Sequence, residues 1–474
     1  YLNMATDTVW TANGGAYHSS LLSAFGRVTY DYQDKYSFTG ILRRDGSSKF
    51  GSNRRYGIFP SVGVAWVLSD EDFMPDLGPV NFLKLRASYG VNGNQEIGNY
   101  QFISVMDQSR GYIFGGGRMV GASPAYIENA DIHWEESTQL DIATDIRAYG
   151  SKLVATIDYY IKTTGGLLER VPIPAHVGND PPFANVGSVR NQGVELEVNW
   201  RQFVNGIRYS VGVNGAYNHN EMVNIGNEEG VLPGADWAVA GMVTRTEIGL
   251  PIAYFYGFKS DGIFQNEREI FQHIGKTGDV LQPNAKPGDV RFEDVNNDGV
   301  LNQEDRTMIG NPTPDFTFGL NASMEYRQFD VSLLVSGAYG NDVFNGAQRQ
   351  DLRYTNRSAR MLDRWTAEGT SNEIPRYTWL DINNNYRISD LYIEDGSFLR
   401  VKNLQVGYTF NDNVLKRLKS KNLRVYVSVE NLYTLTKYTG ADPEIGAMSS
   451  FDIGIDRGVY PQARTFRVGT TMTF

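Results

Sequence analysis

One pattern constrains this chain more than any other. Side chains alternate between apolar and polar at period two, in segment after segment, up to the final residue. In Thr465–Phe474, Phe466, Val468, Met472 and Phe474 share one face, and Arg467, Gly469, Thr471 and Thr473 share the other. That is a strand with one apolar and one wet face. Chain ends usually fray into solvent, so a strand pattern running to the last residue implies an end tied into a sheet. The device recurs at Phe25–Tyr32, Tyr36–Arg44, Ser61–Leu68, Phe82–Val91, Thr138–Ala148 and Leu153–Thr163. It returns at Val194–Arg201, Tyr209–Tyr217, Phe316–Tyr326, Phe329–Val335 and Leu423–Glu430.

The connections differ on the two sides. Gln33–Lys35, Tyr149–Lys152, Asn205–Gly206 and Arg327–Gln328 are short turns, with Asp412–Lys421 a longer exception. Asn-Gly between two alternating runs is a strong hairpin signal. The other side carries long loops, the longest expected between Gly340 and Phe398. About fifteen strands of roughly ten residues, with turns on one side and loops on the other, predict a large antiparallel transmembrane β-barrel with long extracellular loops. Tyr30, Tyr32, Tyr36, Tyr159, Tyr160, Trp200, Tyr209, Tyr326 and Tyr408 fall near strand ends, where an interfacial girdle belongs. One segment, Ala359–Glu368, reads as helical and decorates a loop. A soluble β-sandwich or propeller is the competing architecture; no fixed-period repeat supports the propeller.

Composition fits this reading. A net charge of −10 across 474 residues argues against nucleic acid, which requires a basic footprint. The mean hydropathy of −0.37 is compatible with a barrel, whose strands expose lipid-facing residues only every second position. No apolar run is long enough for a membrane-spanning helix. The absence of cysteine excludes disulfides and thiolate metal sites. The sequence opens at Tyr1 without Met or a targeting segment, and we expect it to be one piece of a longer protein.

The sharpest chemical motif lies in the segment 266–312, expected to be an extracellular loop. Asp294, Asn296, Asp298, the Val300 carbonyl and Asp305 occupy positions one, three, five, seven and twelve of a calcium loop, with Gly299 at six. Asp305 replaces the usual Glu, and no flanking helices are expected, so the reading is a calcium-stapled loop rather than a switch. An Asx-rich turn that binds no metal fits the same residues. Catalytic constellations are missing: His18, His133, His176, His219 and His273 are scattered, and Gly115–Gly117 lacks a dinucleotide-loop context. Glu195 and Glu197 fall on a polar strand face, as a solvated lumen wall requires. Tyr100, Tyr112, Phe114, Trp134, Trp237, Trp379 and Tyr386 are loop aromatics that could meet a ligand or pack the loops together.

Seven stretches carry a family resemblance: Arg43–Phe50, Phe59–Trp66, Leu83–Gly90, Asn191–Leu196, Gly288–Gly299, Ile393–Arg400 and Asp442–Glu444. In that order they resemble the C-terminal part of the SusC/RagA-type TonB-dependent outer-membrane transporters. The resemblance implies a multi-pass outer-membrane barrel of about 22 strands around an N-terminal plug. It implies further partners: a SusD-like lipoprotein lid, and a TonB complex acting through an N-terminal region. Glycans or oligopeptides would be imported unaltered, so no enzyme activity is expected. The plug and remaining strands would lie outside this sequence, and the strand that closes against Thr465–Phe474 is expected there too. The rival function is a soluble or surface-attached β-rich glycan-binding protein or glycoside hydrolase with a structural calcium.

Overall fold

A computed structural model describes residues 16–474, except 108–110, 172, 174, 228–229, 238–240, 350–355 and 448. The opening residues, Tyr1 included, lie outside the described residues. Among the described residues, thirteen strands form one antiparallel sheet in chain order, against the fifteen or so expected for the whole sequence. They are β1 (Leu21–Tyr32), β2 (Tyr36–Ser47), β3 (Tyr56–Val67), β4 (Val80–Asn94), β5 (Glu135–Ala148), β6 (Leu153–Arg170) and β7 (Phe183–Val204). The sheet continues with β8 (Ile207–Asn224), β9 (Phe316–Tyr326), β10 (Phe329–Tyr339), β11 (Phe398–Thr409), β12 (Asn422–Thr436) and β13 (Thr465–Thr473). The other extended segments are two to four residues long and pair among themselves in small sheets, so they add nothing to the wall. Several wall strands also exceed the expected ten residues; β7 has 22. Their extra length carries pairing past the wall into the loop layer.

Register explains the alternation. Following partners across the sheet, Tyr30, Phe38, Val64, Ala87, Ile142, Tyr159, Val194, Tyr217, Phe316 and Tyr339 form one transverse row. All but Ala87 are large, apolar or aromatic, and exposed. A row of exposed apolar side chains crossing ten strands is the signature of a lipid-facing band. One residue along each strand, the row reads Asp31, Ser37, Ala65, Arg86, Ala143, Asp158, Glu195, Ala216, Thr317 and Ala338, polar or small throughout. A one-residue slip would exchange the two faces, so register is strongly specified.

The short turns form as the sequence requires. Asn205 and Gly206 adopt φ of 51° and 78°, the pair of positive values that a tight hairpin twist needs. One more exception joins Asp412–Lys421 on the short side: the connection between β3 and β4, 68–79. It is pinned by Glu71, which accepts from the Tyr36 hydroxyl, from Trp66 Nε1 at 2.9 Å and from Lys35 Nζ at 3.4 Å. The Asp412–Lys421 connection itself is the helix α2 (Asp412–Leu418), and a second unforeseen helix, α1 (Glu267–Gln272), begins the 266–312 segment. The predicted helix at Ala359–Glu368 shrinks to a 3-10 turn, Ala359–Asp363. It stops because Arg364 is extended and the Trp365 N–H is claimed by the Ile374 carbonyl at 2.9 Å.

The longest connection is 225–315, not the one between Gly340 and Phe398. Buried apolar clusters sit at the long-loop end of the wall. Trp237, Val243, Phe255, Phe344, Ile388, Tyr392 and Ile455 form one, drawn from the segments 225–315, 340–397 and 437–464. Three long loops therefore share a core, and they fold into a cap.

Candidate functional site

The site is built where the cap meets the polar face of the wall. β11 supplies Arg400 on that face, 3 % exposed, and its register slips at Lys402, the extra residue of a β-bulge between Val401 and Asn403. Bulges re-aim side chains. Here Arg400 bonds Asp442 and Glu444 together, Lys402 Nζ bonds Glu444 Oε1 at 2.7 Å, and Arg400 Nε donates to Thr434 Oγ1 at 2.8 Å. Burial alone would raise the Asp442 carboxyl. The Arg400 guanidinium and the backbone N–H groups of Gln462 and Glu444 outweigh it and hold the carboxyl below its usual range. Two of the motifs that carried the family resemblance, Ile393–Arg400 and Asp442–Glu444, thus meet as a clasp between wall and cap.

A third motif explains itself in the same way. Gly288, at φ 91°, packs against Trp365, where any Cβ would clash. Asp289, fully buried, takes a two-pronged bond from Arg376 at 2.7 and 3.2 Å and accepts Asn385 Nδ2 at 2.9 Å. Asn383 and Gln282 close the network onto the Val290 carbonyl. Next to it, burial pushes the Asp381 carboxyl up, the Tyr386 phenol up to about 12 and the Arg387 guanidinium down to about 10. Buried, fully partnered polar groups of this kind fix one geometry.

In the calcium-like loop the structure brings Asp294, Asn296 and Asp298 together. The Asp298 N–H donates to Asp294 Oδ1 at 3.2 Å and Asn296 Oδ1 at 2.9 Å, and the Gly299 N–H donates to Asp294 Oδ2 at 2.9 Å. Asp298 Oδ1 accepts the Val300 N–H at 2.8 Å. Gly299 has φ 90°, the sharp turn that position six needs. Asp305 is fully buried, its two oxygens accepting the N–H groups of Val295 at 3.0 Å and Asn302 at 2.7 Å. Carboxylate oxygens are the ligand type a hard cation of calcium's kind takes, and here each of these side chains already accepts a backbone N–H, as in an Asx-rich turn. Among the described residues, no three His, Asp or Glu side chains cluster in metal-site geometry. The neighbouring turn carries His273, whose Nε2 lies 3.0 Å from the Phe292 carbonyl, and burial pushes its imidazole down.

Glu195 and Glu197 are exposed on the polar wall face and border a depression of about 670 Å³ with Asp158 and Glu444. The loop aromatics divide. Trp134 and Trp237 are core residues, 5 % and 2 % exposed, and their indole N–H groups donate to the Arg55 and Gly346 carbonyls. Tyr100, Tyr112, Phe114 and Trp379 are exposed. Sequence reasoning missed Glu394, which accepts from Asn345, Gln348, Arg360 and both the N–H and hydroxyl of Thr439. Its only sequence signal was its place inside a quoted motif.

A family profile described as "TonB dependent receptor-like, beta-barrel" matches residues 3–432. The chain belongs to the TonB-dependent receptor family. This receptor chain is 33 % identical over 468 residues to TonB-dependent receptor P3 of Formosa agariphila, covering 96 % of the chain and 46 % of that protein. It is 28 % identical to TonB-dependent receptor SusC of Bacteroides thetaiotaomicron, covering 97 % and 44 %. Among solved structures, the RagAB peptide transporter superposes with a TM-score of 0.79 at 24 % identity, covering 96 % of the chain and 48 % of the other. The chain spans about half the length of the curated relatives it matches. It forms part of the wall of an outer-membrane β-barrel, and its relatives are receptors and transporters rather than enzymes. The soluble and hydrolase alternatives end here.

Proposed function

We propose that this receptor chain forms the C-terminal part of a barrel of about 22 strands that actively imports a glycan or an oligopeptide across the outer membrane. A SusD-like lipoprotein closes the extracellular mouth, and a TonB complex drives release through a plug contributed by the rest of the protein. The single observation behind this reading is the clasp. Arg400 and Lys402 on the wall's polar face bind Asp442 and Glu444 of the cap, so a folded loop layer is fixed above a polar lumen. The segment 266–312 belongs to that cap on its extracellular side, and Asp294, Asn296, Asp298, Val300 and Asp305 hold a structural calcium there.

Import is tested with cells lacking the receptor gene and fed labelled oligosaccharides or oligopeptides as sole carbon source. Growth and uptake are expected to disappear, to return with the gene and to stay absent in a strain without TonB. Uptake that persists without TonB would sink the active-import reading. Affinity purification of the tagged receptor is expected to bring down a lipoprotein.

A further inference from the structure

The stretch Arg43–Phe50 carried part of the family resemblance and has no place in the clasp. With the six residues that follow, it gives a segment, Arg43–Tyr56, holding five Lys or Arg against one Asp in a chain of net charge −10. The segment covers the top of β2, the connection 48–55 and the first residue of β3, at the long-loop end of the wall. We propose that this hairpin is a docking surface for the phosphate groups of lipids in the outer leaflet, with Arg44 at its centre.

Two aromatic residues on β3 mark the membrane boundaries. Val64 belongs to the lipid-facing row, so Tyr56, Ile58, Pro60, Val62 and Trp66, at even steps from it, share its face. Trp66 stacks on Tyr36 at the short-turn end, with ring centroids 6.3 Å apart. Tyr56 lies ten residues away, at the other end of the strand. That is about 34 Å along the strand, or about 26 Å in height at a tilt of about 40°. The apolar band between two aromatic girdles is about 25 Å tall. Tyr56 therefore stands at the headgroup level of the outer leaflet.

Arg44 stands there too, on the same outward face. It lies opposite Ile58 in the register, and its guanidinium carbon is 4.5 Å from the centre of the Tyr56 ring. Gly46, the next outward position on β2, makes room for that ring, since a Cβ there would come within 2.4 Å of it. Stacking occupies the face of the guanidinium and leaves its in-plane N–H groups free. Among the described residues, nothing pairs with the Arg44 side chain except that ring. Its neighbour Arg43, on the polar face, is held by Asp45 at 2.6 Å. An uncompensated cation on a lipid-facing strand is costly in hydrocarbon and favourable among anionic headgroups.

The connection above Arg44 adds charge. Phe50 is fully buried against Trp134 and Phe59, which ties the connection to the wall, while Arg54 and Arg55 are exposed. Arg54 reaches Asp131 only at 3.9 Å, with both side chains mostly in water, an arrangement that contributes little. Among the described residues, Lys49 and Arg55 have no acidic partner. With eight residues the connection stays near the membrane surface, whereas a lid over the mouth would meet the cap, built from far longer segments. Guanidinium groups bind phosphate through paired charge-assisted hydrogen bonds, and the leaflet presents phosphates at this height.

The test uses the full-length receptor in detergent and counts bound lipid by native mass spectrometry. Diphosphoryl lipid A is compared with the same lipid after phosphatase treatment, and inorganic phosphate serves as competitor. The phosphorylated lipid is expected to bind at least about tenfold more tightly, the scale of one charge-assisted hydrogen bond. Arg44→Gln is expected to weaken its binding about fivefold, the worth of one cation at a lipid surface, and Arg44→Lys to keep most of it. Arg54→Gln combined with Arg55→Gln leaves the wall strands untouched and is expected to cost at least as much. Heat-modifiable migration checks that each variant keeps its wall. Equal binding of the two lipids, full phosphate preference in both Gln variants, or displacement of the lipid by millimolar inorganic phosphate would each overturn the proposal. An Arg44→Gln receptor that binds lipid normally but no longer brings down a lipoprotein would assign the surface to a protein partner instead. Lipid binding in detergent needs neither TonB nor cargo, so it is independent of the import reading.

Discussion

At the residue scale, the decisive side chains are those whose partners lie far away in sequence. Arg400 is almost fully buried against Asp442 and Glu444. Removing one partner of a buried ion pair leaves the other uncompensated, at a cost of about 3–5 kcal/mol. Arg400→Ala should therefore release the segment 437–464 from the wall, read as faster hydrogen exchange and proteolysis there, while the folded barrel still migrates as such on a gel. Loop protection equal to wild type would show that the clasp is not what holds the cap. His273 gives a pH prediction. Burial lowers its folded pKa below the unfolded value of about 6.5, so under that pH the unfolded segment binds a proton that the folded one does not. Stability then falls as pH drops below about 6.5. Exchange of the amides around Phe292 should quicken between pH 7 and pH 5, and His273→Gln should flatten that dependence. The sequence marked both residues only weakly. One arginine in a strand and one lone histidine carry no local pattern, because their meaning comes from contacts made across the fold.

At the scale of elements, the wall strands were legible and the loops were not. Period-two alternation is a local consequence of a pleated strand with two different solvents, so Phe466, Val468 and Phe474 declare their face without help. Loop residues have no such period. Trp237 could have met a ligand or packed the loops together, and it lies in the core. Ala359–Glu368 had helical spacing and lost it because Trp365 pairs with Ile374. The calcium-like loop sits between these cases, since its spacing was readable and its occupancy was not. Two accounts of Asp294–Asp305 predict different things for Asp298. If calcium binds, Asp298→Ala removes a ligand and the acceptor of the Val300 N–H, and bound calcium should vanish from metal analysis. Asp298→Asn keeps that acceptor and loses the charge, so it should hold the turn while weakening the metal. Unchanged metal content in Asp298→Ala would reduce the motif to an Asx turn.

At the scale of the molecule, the chain joins two structures with different physics. The wall is held by register and by an apolar band that faces lipid, and it has little buried core. The cap has the ordinary core of a water-soluble domain, assembled from three loops that are far apart in sequence. Trp237 lies at its centre, tilted or edge-on to Phe344 and Tyr392 at centroid distances of 5.4 and 5.2 Å. Its indole N–H reaches the Gly346 carbonyl at 3.0 Å. Truncating a buried tryptophan costs about 3–5 kcal/mol, and within one shared core that loss is felt by every contributing segment. Trp237→Ala should thus loosen 231–257, 342–346, 388–393 and 455–456 together in hydrogen exchange, with β1–β13 keeping their protection. Loosening confined to the neighbourhood of residue 237 would mean that the loops pack separately. A concerted change would establish the cap as one cooperative unit, anchored to the barrel through Arg400 and able to open without unfolding the wall.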